Sequence, residues 1–134
     1  MKTAILTSFL IACLSVANVF AQDTDKKVFT NIDQTETGTI KEQIYLNDES
    51  SQAEKKITYY YDLDENLLQK VDSRWNSHVG WVPTQKYEYT YNTFGKVASV
   101  TFTKWDNKRD QWAESKAKQT AHIYNEQGEL MAIR

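Results

Sequence analysis

The stretch Tyr87–Trp105, YEYTYNTFGKVASVTFTKW, constrains the fold most, because related versions of it recur along the chain. Two β-prone runs flank a turn signal at Asn92–Gly95, and a tryptophan closes the second run. Similar segments are found at Tyr59–Trp75 and at His122–Arg134. A period of about 30 residues with one hairpin per copy is typical of repeat β architectures, in which each copy packs on its neighbours.

The spacing of aromatic residues supports a duplication. Tyr61, Tyr91 and Tyr124 each precede a turn, at intervals of 30 and 33 residues. Trp75 and Trp105 end equivalent strands, again 30 residues apart. Low glycine content and many tyrosine, threonine and valine residues favour strands joined by tight turns. The sequence therefore predicts an all-β domain.

Period-two alternation and turn residues predict about eight antiparallel strands in meander order. A twisted open sheet is the expected architecture, with an up-and-down barrel as the alternative. The segment Ala113–Ala121 has a composition that suits a helix, and only the repeat register favours a strand there. Asn76–Pro83 is expected to be a connection. The predicted strands are Val28–Asp33, Thr39–Leu46, Lys56–Tyr61, Leu67–Trp75, Gln85–Tyr91, Lys96–Trp105, Lys116–Tyr124 and Glu129–Arg134.

Residues 1–21 resemble a secretory signal peptide and are excluded from the fold. Lys2 supplies the positive start, and Ala4–Phe20 is a nearly uncharged apolar run. Val19 and Ala21 give the small-residue pattern of a signal-peptidase site, so cleavage is expected after Ala21. The chain is therefore predicted to be exported, to the periplasm or the cell exterior, with residues 22–134 forming one domain.

The segment Leu10–Cys13, LIAC, also looks like a bacterial lipobox. Lipidation there would make Cys13 the mature N-terminus and anchor the protein to a membrane. Leu14–Ala21 argues against it, because this stretch stays apolar where a lipoprotein needs a polar tether.

The composition of residues 22–134 excludes several classes of function. Cys13 is the sole cysteine of the chain, so the mature domain has neither disulfides nor thiol catalysis. The formal net charge of the whole chain is −2, and loss of Lys2 makes the domain more acidic still. Nucleic-acid binding, which needs a basic surface, is not expected. No further apolar run is long enough to span a membrane, and no cofactor is expected.

The segments Tyr89–Val97, YTYNTFGKV, and Tyr124–Leu130, YNEQGEL, resemble the tyrosine/aspartate repeats of Rhs-type proteins. The mature chain is also similar to small exported proteins of unknown function from Bacteroides-like bacteria. The resemblance covers Ala53–Arg134 well and implies a β-meander or spiral sheet without catalytic residues to transfer. Two departures are the absence of glycine at Asp62–Asn66 and the acidic Glu129 at a position that is usually basic.

Four tryptophans are the first candidates for a binding surface. They form two pairs that flank equivalent connections, and we expect them to line one edge of the sheet. Exposed indole rings suit carbohydrate rings or protein hot spots. The alternative is that each tryptophan caps a hairpin by packing on the next repeat. The four residues are Trp75, Trp81, Trp105 and Trp112.

A tyrosine ladder is the second candidate surface, and within it Tyr87 and Tyr89 are the predicted binding residues. Tyrosines at alternate positions are expected to share one strand face, which could bind a flat sugar or peptide. The plainer interpretation is that tyrosine covers a half-buried face while its hydroxyl stays solvated. The ladder comprises Tyr59, Tyr61, Tyr87, Tyr89, Tyr91 and Tyr124.

Other motifs give weaker hypotheses. Asp62–Asn66 resembles the start of a calcium loop, but an EF-hand would need glycine at Leu67 and glutamate at Ser73. His78 and His122 lack the partner spacing of a zinc site. No nucleophile motif or phosphate-binding glycine loop is present, and the carboxylates are scattered over turns.

The sequence therefore predicts a non-catalytic exported module that binds a glycan or a protein partner through aromatic residues. The alternatives are a small hydrolase acting on glycans or peptidoglycan, and a purely structural envelope component. An open meander would leave unpaired edges at Val28–Asp33 and Glu129–Arg134. Homodimerisation by edge pairing is therefore a further expectation.

Overall fold

Alternating side chains and short turns build nine antiparallel strands in the computed structural model, which describes residues 27–134. One short 3-10 helix at Glu114–Lys116 precedes β8. The strands are β1 (Val28–Thr35), β2 (Gly38–Leu46), β3 (Ala53–Tyr61), β4 (Leu67–Asn76), β5 (Gly80–Tyr91), β6 (Val97–Asp106), β7 (Gln111–Trp112), β8 (Lys118–Tyr124) and β9 (Leu130–Ile133).

The strands form one open sheet in the order β1-β2-β3-β4-β5-β6-β8-β9, with the short β7 pairing to β6. Apart from the two-residue β7, each strand pairs with the next one along the chain, so the predicted antiparallel meander is confirmed. Strands β1 and β9 lie at opposite edges and do not pair with each other. The open sheet is thus the architecture found, and the barrel alternative is wrong.

The segment with helix-like composition divides between two structures. Glu114–Lys116 forms a single 3-10 turn, and the strand β8 begins at Lys118. The predicted strand over 116–124 is therefore present, two residues shorter than expected. The two-residue strand β7 was not predicted, because two residues give no alternation to detect.

Three turns at one end of the sheet, here called the repeat turns, are built alike. They span residues 62–66, 92–96 and 125–129. In each, the first side chain is Asp62, Asn92 or Asn125, and its Oδ1 accepts the backbone N–H four residues later, at 2.8–3.0 Å. The backbone N–H of the same residue donates to the carbonyl four residues on. This side-chain bond explains why Asp or Asn opens every repeat turn.

The fourth residue of each repeat turn has a left-handed backbone. Glycine fills this position in two of the turns, Gly95 at φ 73° and Gly128 at φ 77°. Glu65 holds it in the other, at φ 64°. Left-handed backbone is costly for residues with a Cβ, so Glu65 is strained where the glycines are not.

The opposite end of the sheet, here called the tryptophan end, has a second repeated turn. Its turns span residues 47–52, 76–80 and 106–111. Asn47, Asn76 and Asp106 accept backbone N–H bonds from residues two and three positions later. Four residues after each of them the backbone φ is positive, at Ser51, Gly80 and Asp110. The duplication is therefore visible at both ends of the sheet.

Each repeat turn is followed by a β-bulge one residue into the returning strand. The register shifts leave Leu68, Ala98 and Met131 as the extra residues. Bulges of this kind bend a strand and increase its local twist. Their recurrence at intervals of 30 and 33 residues means that each repeat carries the same bend.

The predicted connection at 76–83 is wrong, because β5 already begins at Gly80. Proline lacks the N–H that a ladder uses and is normally restricted to edges and bulges. Pro83 pairs with Ser73 beside a register shift in which Thr84 is the extra residue of β5. The bulge thus accommodates the proline inside the strand and leaves Trp81 in the sheet.

The two faces of the sheet carry different side chains. Cross-strand partners in an antiparallel pair share a face, so the register defines a row of aromatic and lysine residues on one side. We call this side the tyrosine face. Its central row is Lys41, Tyr59, Lys70, Tyr87, Phe102 and Lys118.

The other side, here called the tryptophan face, contains the buried polar residues Thr58, Lys86 and Thr103. Within the described residues, Ile57 is the buried hydrophobic side chain, at 7% exposure, and it lies on the tyrosine face opposite Asp72. No second layer of described structure covers either face. The long stems of lysine and the tyrosine rings therefore supply the apolar contacts that stabilise the sheet.

Residues 1–26, with the predicted signal peptide, the cleavage site after Ala21 and the lipobox cysteine Cys13, lie outside the described residues. Over residues 27–134, no helix has the length and apolarity needed to cross a membrane.

Candidate binding surfaces

The first tryptophan pair lies across β4 and β5 at the tryptophan end. Trp75 and Trp81 are direct cross-strand partners, and their ring centroids are 5.3 Å apart at an interplanar angle of 72°. This is an edge-to-face contact, the preferred geometry of aromatic pairs. Trp75 remains 48% exposed, and its ring extends to 3.8 Å from the position that a Cβ would take at Gly80.

The second pair repeats this arrangement one hairpin later. Trp105 and Trp112 are partners across β6 and β7, with centroids 5.0 Å apart and rings at 84°. Both rings are half-buried. The Trp105 indole N–H is buried and has no hydrogen-bond partner within the described residues. The two pairs are thus equivalent in geometry but differ in exposure.

One ring of each pair is covered by a lysine from the tryptophan face. The Lys56 ammonium lies 5.3 Å from the Trp81 ring centroid, and the Lys86 ammonium lies 5.1 Å from that of Trp112. Such cation–π contacts contribute about 0.5–1 kcal/mol at exposed sites. Trp81 and Trp112 therefore have a packing role, and Trp75 is the tryptophan with the most ring surface open to solvent.

Lys86 is held by two carboxylates as well as by the indole ring. Its ammonium lies 2.8 Å from Glu114 and 3.2 Å from Glu88, and its side chain is 8% exposed. Burial lowers the pKa of Lys86, but the hydrogen bonds that its ammonium donates to Glu114 and Glu88 more than offset this, so its pKa is raised. Lys86 therefore remains charged beneath Trp112.

A shallow depression of about 520 Å³ lies beside Trp75 at the tryptophan end. It is lined by apolar surface from Val79 and Val82, by polar groups from two successive turns and by Arg74 of β4. A partly apolar depression with a few polar groups is the usual form of a small-molecule site. The polar lining residues include Arg74, Asn76, Asn107 and Asp110.

The predicted residues Tyr87 and Tyr89 lie on the opposite side of the sheet from the tryptophans. Tyr87 packs against Phe102 with centroids 5.2 Å apart, and the Lys70 ammonium lies 5.4 Å from the Tyr87 ring centroid. Burial raises the pKa of Tyr89, and the neighbouring hydroxyls of Tyr87 and Tyr91 raise it further. The six predicted binding residues are therefore divided between two faces and do not form one surface.

Asp72, which the sequence did not single out, lies in the middle of the tyrosine face. It is 7% exposed and accepts a 3.0 Å hydrogen bond from the Gln85 amide. The ammonium groups of Lys55 and Lys70 each lie 3.8 Å from one of its oxygens. Its Oδ1 accepts no hydrogen bond within the described residues. The sequence signal that could have indicated this site is an aspartate in the middle of a predicted strand, where β-prone residues flank it.

Asp62 has a structural role in its turn. Its carboxylate accepts hydrogen bonds from the Asn66 amide at 3.0 Å, the Asn66 backbone at 2.8 Å and the Asp64 backbone at 2.9 Å. The side-chain and backbone bonds of Asn66 lower the pKa of Asp62. Asparagine makes the equivalent bonds in the other repeat turns, so the turn geometry explains this residue without calcium.

Potential metal and acid–base groups lie apart from one another. His78 belongs to a turn at the tryptophan end, whereas His122 lies in β8 near the repeat-turn end. Over residues 27–134, no group of three or more histidine, cysteine, aspartate or glutamate residues could hold a metal ion. Glu88, which is half-buried, and Glu114, which is exposed, are brought close by Lys86, and both are bound to that lysine.

Comparisons with known proteins identify a family but not an activity. Residues 1–123 match a family described as "Family of unknown function (DUF3836)", and the chain belongs to this family. No curated protein matches the chain. The resemblance to Rhs-type repeats is not confirmed.

Two solved structures, both of DUF3836 family proteins, are similar to the chain. One is from Parabacteroides distasonis, with 14% identity and a TM-score of 0.48, over 70% of this chain and 87% of the other. The second is from Bacteroides vulgatus, with 17% identity and a TM-score of 0.44, over 69% of this chain and 96% of the other.

Proposed function

We propose that this member of the DUF3836 family is an exported binding module without catalytic activity, which recognises a glycan at the tryptophan end of its sheet. The observation that carries the proposal is the Trp75 ring, 48% exposed beside a depression lined with polar side chains. Among the described tryptophans Trp75 is the most exposed, and its position beside polar side chains is the arrangement that a bound sugar would use.

The chemistry of the depression favours a sugar over a purely apolar ligand. An indole face offers apolar contact for the C–H side of a pyranose ring, in the same way that it packs on other rings. Asn76 and Asn107 could donate hydrogen bonds to hydroxyl groups, and Asp110 could accept them. These groups come from two adjacent turns, so a short oligosaccharide could bridge the turns.

The orientation of the tryptophan pairs supports Trp75 as the principal contact. Lysines cover Trp81 and Trp112, so those rings hold the edge in place. Edge-to-face packing on Trp81 fixes the Trp75 ring, and a preorganised ring loses less conformational entropy on binding.

A glycan array on the purified protein, followed by titration calorimetry with the best ligand, tests the proposal. We expect binding that weakens about tenfold or more in Trp75→Ala, the usual effect of losing a central aromatic contact. Phe94→Ala is the matched control, because Phe94 is an aromatic residue, 83% exposed, at the opposite end of the sheet. It should leave binding unchanged.

Other outcomes would support the alternatives. Retained affinity in Trp75→Ala, with loss in Tyr89→Ala, would move the site to the tyrosine face. Release of new reducing ends from the bound glycan or from peptidoglycan would support the hydrolase. Absence of binding across the array would contradict glycan recognition and favour a protein partner or a structural role.

A further inference from the structure

We infer that two copies of this chain associate through their β1 strands and thereby form one continuous sheet. The inference concerns a different part of the molecule from the glycan site and does not depend on it. β1 is an edge strand whose eight residues are all exposed, and within the described residues nothing pairs with its outer side.

The backbone of β1 presents its free groups in a regular pattern. The Leu46 N–H donates to the Lys27 carbonyl at 3.0 Å, so Lys27 and Leu46 form a hydrogen-bonded pair. Such pairs alternate along an antiparallel ladder. The N–H and C=O groups of Val28, Thr30 and Ile32 therefore point outward, away from β2.

β1 lacks the devices that usually protect a sheet edge. Its sequence VFTNIDQT contains neither proline nor lysine and has one charged residue, Asp33. Its eight pairs with β2 run without a register shift. Short length, bulges and charges normally prevent edge pairing. The other edge has such protection, because β9 has four residues and a bulge where it pairs with β8.

One antiparallel register makes the strand complementary to itself. With Thr30 opposite Thr30 of the second copy on the two-fold axis, Val28 of each copy lies opposite Ile32 of the other. The backbone N–H and C=O groups of Val28, Thr30 and Ile32 face outward. The Thr30–Thr30 pair and the two Val28–Ile32 pairs can therefore form interchain hydrogen bonds. Apolar and Thr–Thr cross-strand pairs are favourable. The two-fold symmetry makes the Val28–Ile32 pair occur twice, once on each side of the axis, as in any isologous interface.

The same register also pairs opposite charges. Counting outward from the Thr30 axis places Lys27 of one copy opposite Asp33 of the other, on the tryptophan face. Phe29, which is 57% exposed, then lies opposite Asn31. Lys27 and Asp33 are the two charged residues of residues 27–35, so both find a partner of opposite sign. Because of this charge complementarity, we take a second copy of the chain as the partner that pairs with β1.

Sedimentation equilibrium across the micromolar range tests the association, with charge reversal as the specific probe. The unmodified protein should be a dimer. Lys27→Glu and Asp33→Lys should each weaken dimerisation about tenfold or more, because two attractive pairs become repulsive. The double variant, which exchanges the two charges, should restore the dimer. A monomer, or a dimer indifferent to the single reversals, would overturn the inference.

Cross-linking locates the two-fold axis. Thr30→Cys should form an intermolecular disulfide under mild oxidation, because residues of a hydrogen-bonded pair have Cα atoms about 5.5 Å apart. Asn31→Cys is the matched control, since its side chain lies on the other face and opposite Phe29. Equal cross-linking of both variants would contradict the register. Association with a different protein, and not with itself, would also contradict it.

Discussion

Glu65 occupies the position at which the other two repeat turns carry glycine. Its φ of 64° lies in the left-handed region, as do those of Gly95 and Gly128. The repeat therefore predicts which residue is strained, and the structure gives the conformation that causes the strain.

Replacement of Glu65 by glycine should stabilise the domain. A left-handed backbone costs a residue with a Cβ about 1–2 kcal/mol, and glycine avoids this cost. Glycine also gives the unfolded chain more conformational freedom, which offsets part of the gain in stability. We expect Glu65→Gly to raise the free energy of unfolding by about 0.5–1 kcal/mol, measured by urea denaturation. Glu65→Gln should change little, because it keeps the strained backbone.

The reciprocal change should destabilise the next turn. A Cβ at Gly95 would meet no atom within 4 Å, so Gly95→Ala isolates the backbone effect. It should lower the unfolding free energy by about 1 kcal/mol. Equal stability of Gly95→Ala and the unmodified chain would show that the turn is not held in the left-handed conformation.

Asp62 should make stability depend on pH at the acid end. Hydrogen bonds from Asn66 lower its pKa in the folded state below the ordinary value of 3.8. The carboxylate therefore contributes stability above that value, and the contribution is lost as pH falls through the lowered folded pKa. Asp62→Asn, which imitates Asn92 and Asn125, should remove this part of the acid sensitivity in urea midpoints measured from pH 6 to pH 2.

Asn92→Asp provides the converse test. A carboxylate placed in the equivalent turn should accept the equivalent backbone hydrogen bonds from Phe94 and Lys96, without a counterpart of the Asn66 amide, and so add a smaller acid sensitivity. If neither substitution changes the pH dependence of the urea midpoint, the shared turn geometry does not set the pKa.

At the scale of the strands, tyrosine hydroxyls join one hairpin to the preceding one. Tyr91 donates to the Leu67 carbonyl and Tyr124 to the Val97 carbonyl, both at 2.7 Å. Both acceptors follow directly on a repeat turn, so the bond recurs with the repeat. The first hairpin has a shorter turn, and its Gly38 approaches the Tyr61 backbone closely enough that a Cβ would lie 1.9 Å from the Tyr61 oxygen.

Removal of either hydroxyl should therefore weaken the contact between hairpins. We expect Tyr91→Phe and Tyr124→Phe each to lower the unfolding free energy by about 0.5–1.5 kcal/mol, the usual net value of a hydrogen bond. Tyr60→Phe, at an exposed position on the tryptophan face, is the control and should have a smaller effect. Equal losses at all three positions would indicate that the hydroxyl bonds are not specific.

The sequence predicted the strands and repeat turns well because alternation and turn residues are local signals. It could not predict the face that Trp81 takes. Trp81 and Tyr87 are six residues apart, and unbroken alternation would place them on the same side. The extra residue Thr84 changes the parity, so Trp81 and Tyr87 lie on opposite faces. A bulge depends on the partner strand and is not visible in one strand's pattern.

At the scale of the whole molecule, the described residues form a single open sheet with no second layer packed on it. Side chains on its two faces must therefore supply the contacts that stabilise it. The tyrosine face uses aromatic rings and lysine stems, and the tryptophan face buries threonines and Lys86. The sheet has no buried aliphatic layer within the described residues, apart from Ile57. An edge pairing through β1 would extend the same sheet, and the glycan site would stay at its end.

Interstrand nuclear Overhauser contacts between backbone protons test this arrangement most directly. The account predicts contacts at the aligned pairs Tyr59–Lys70, Lys70–Tyr87 and Tyr87–Phe102, and none between β1 and β9. Contacts between β1 and β9 would show a closed barrel. A register offset by one residue would place Tyr59 and Tyr87 on different faces, and either result would contradict the open two-faced sheet.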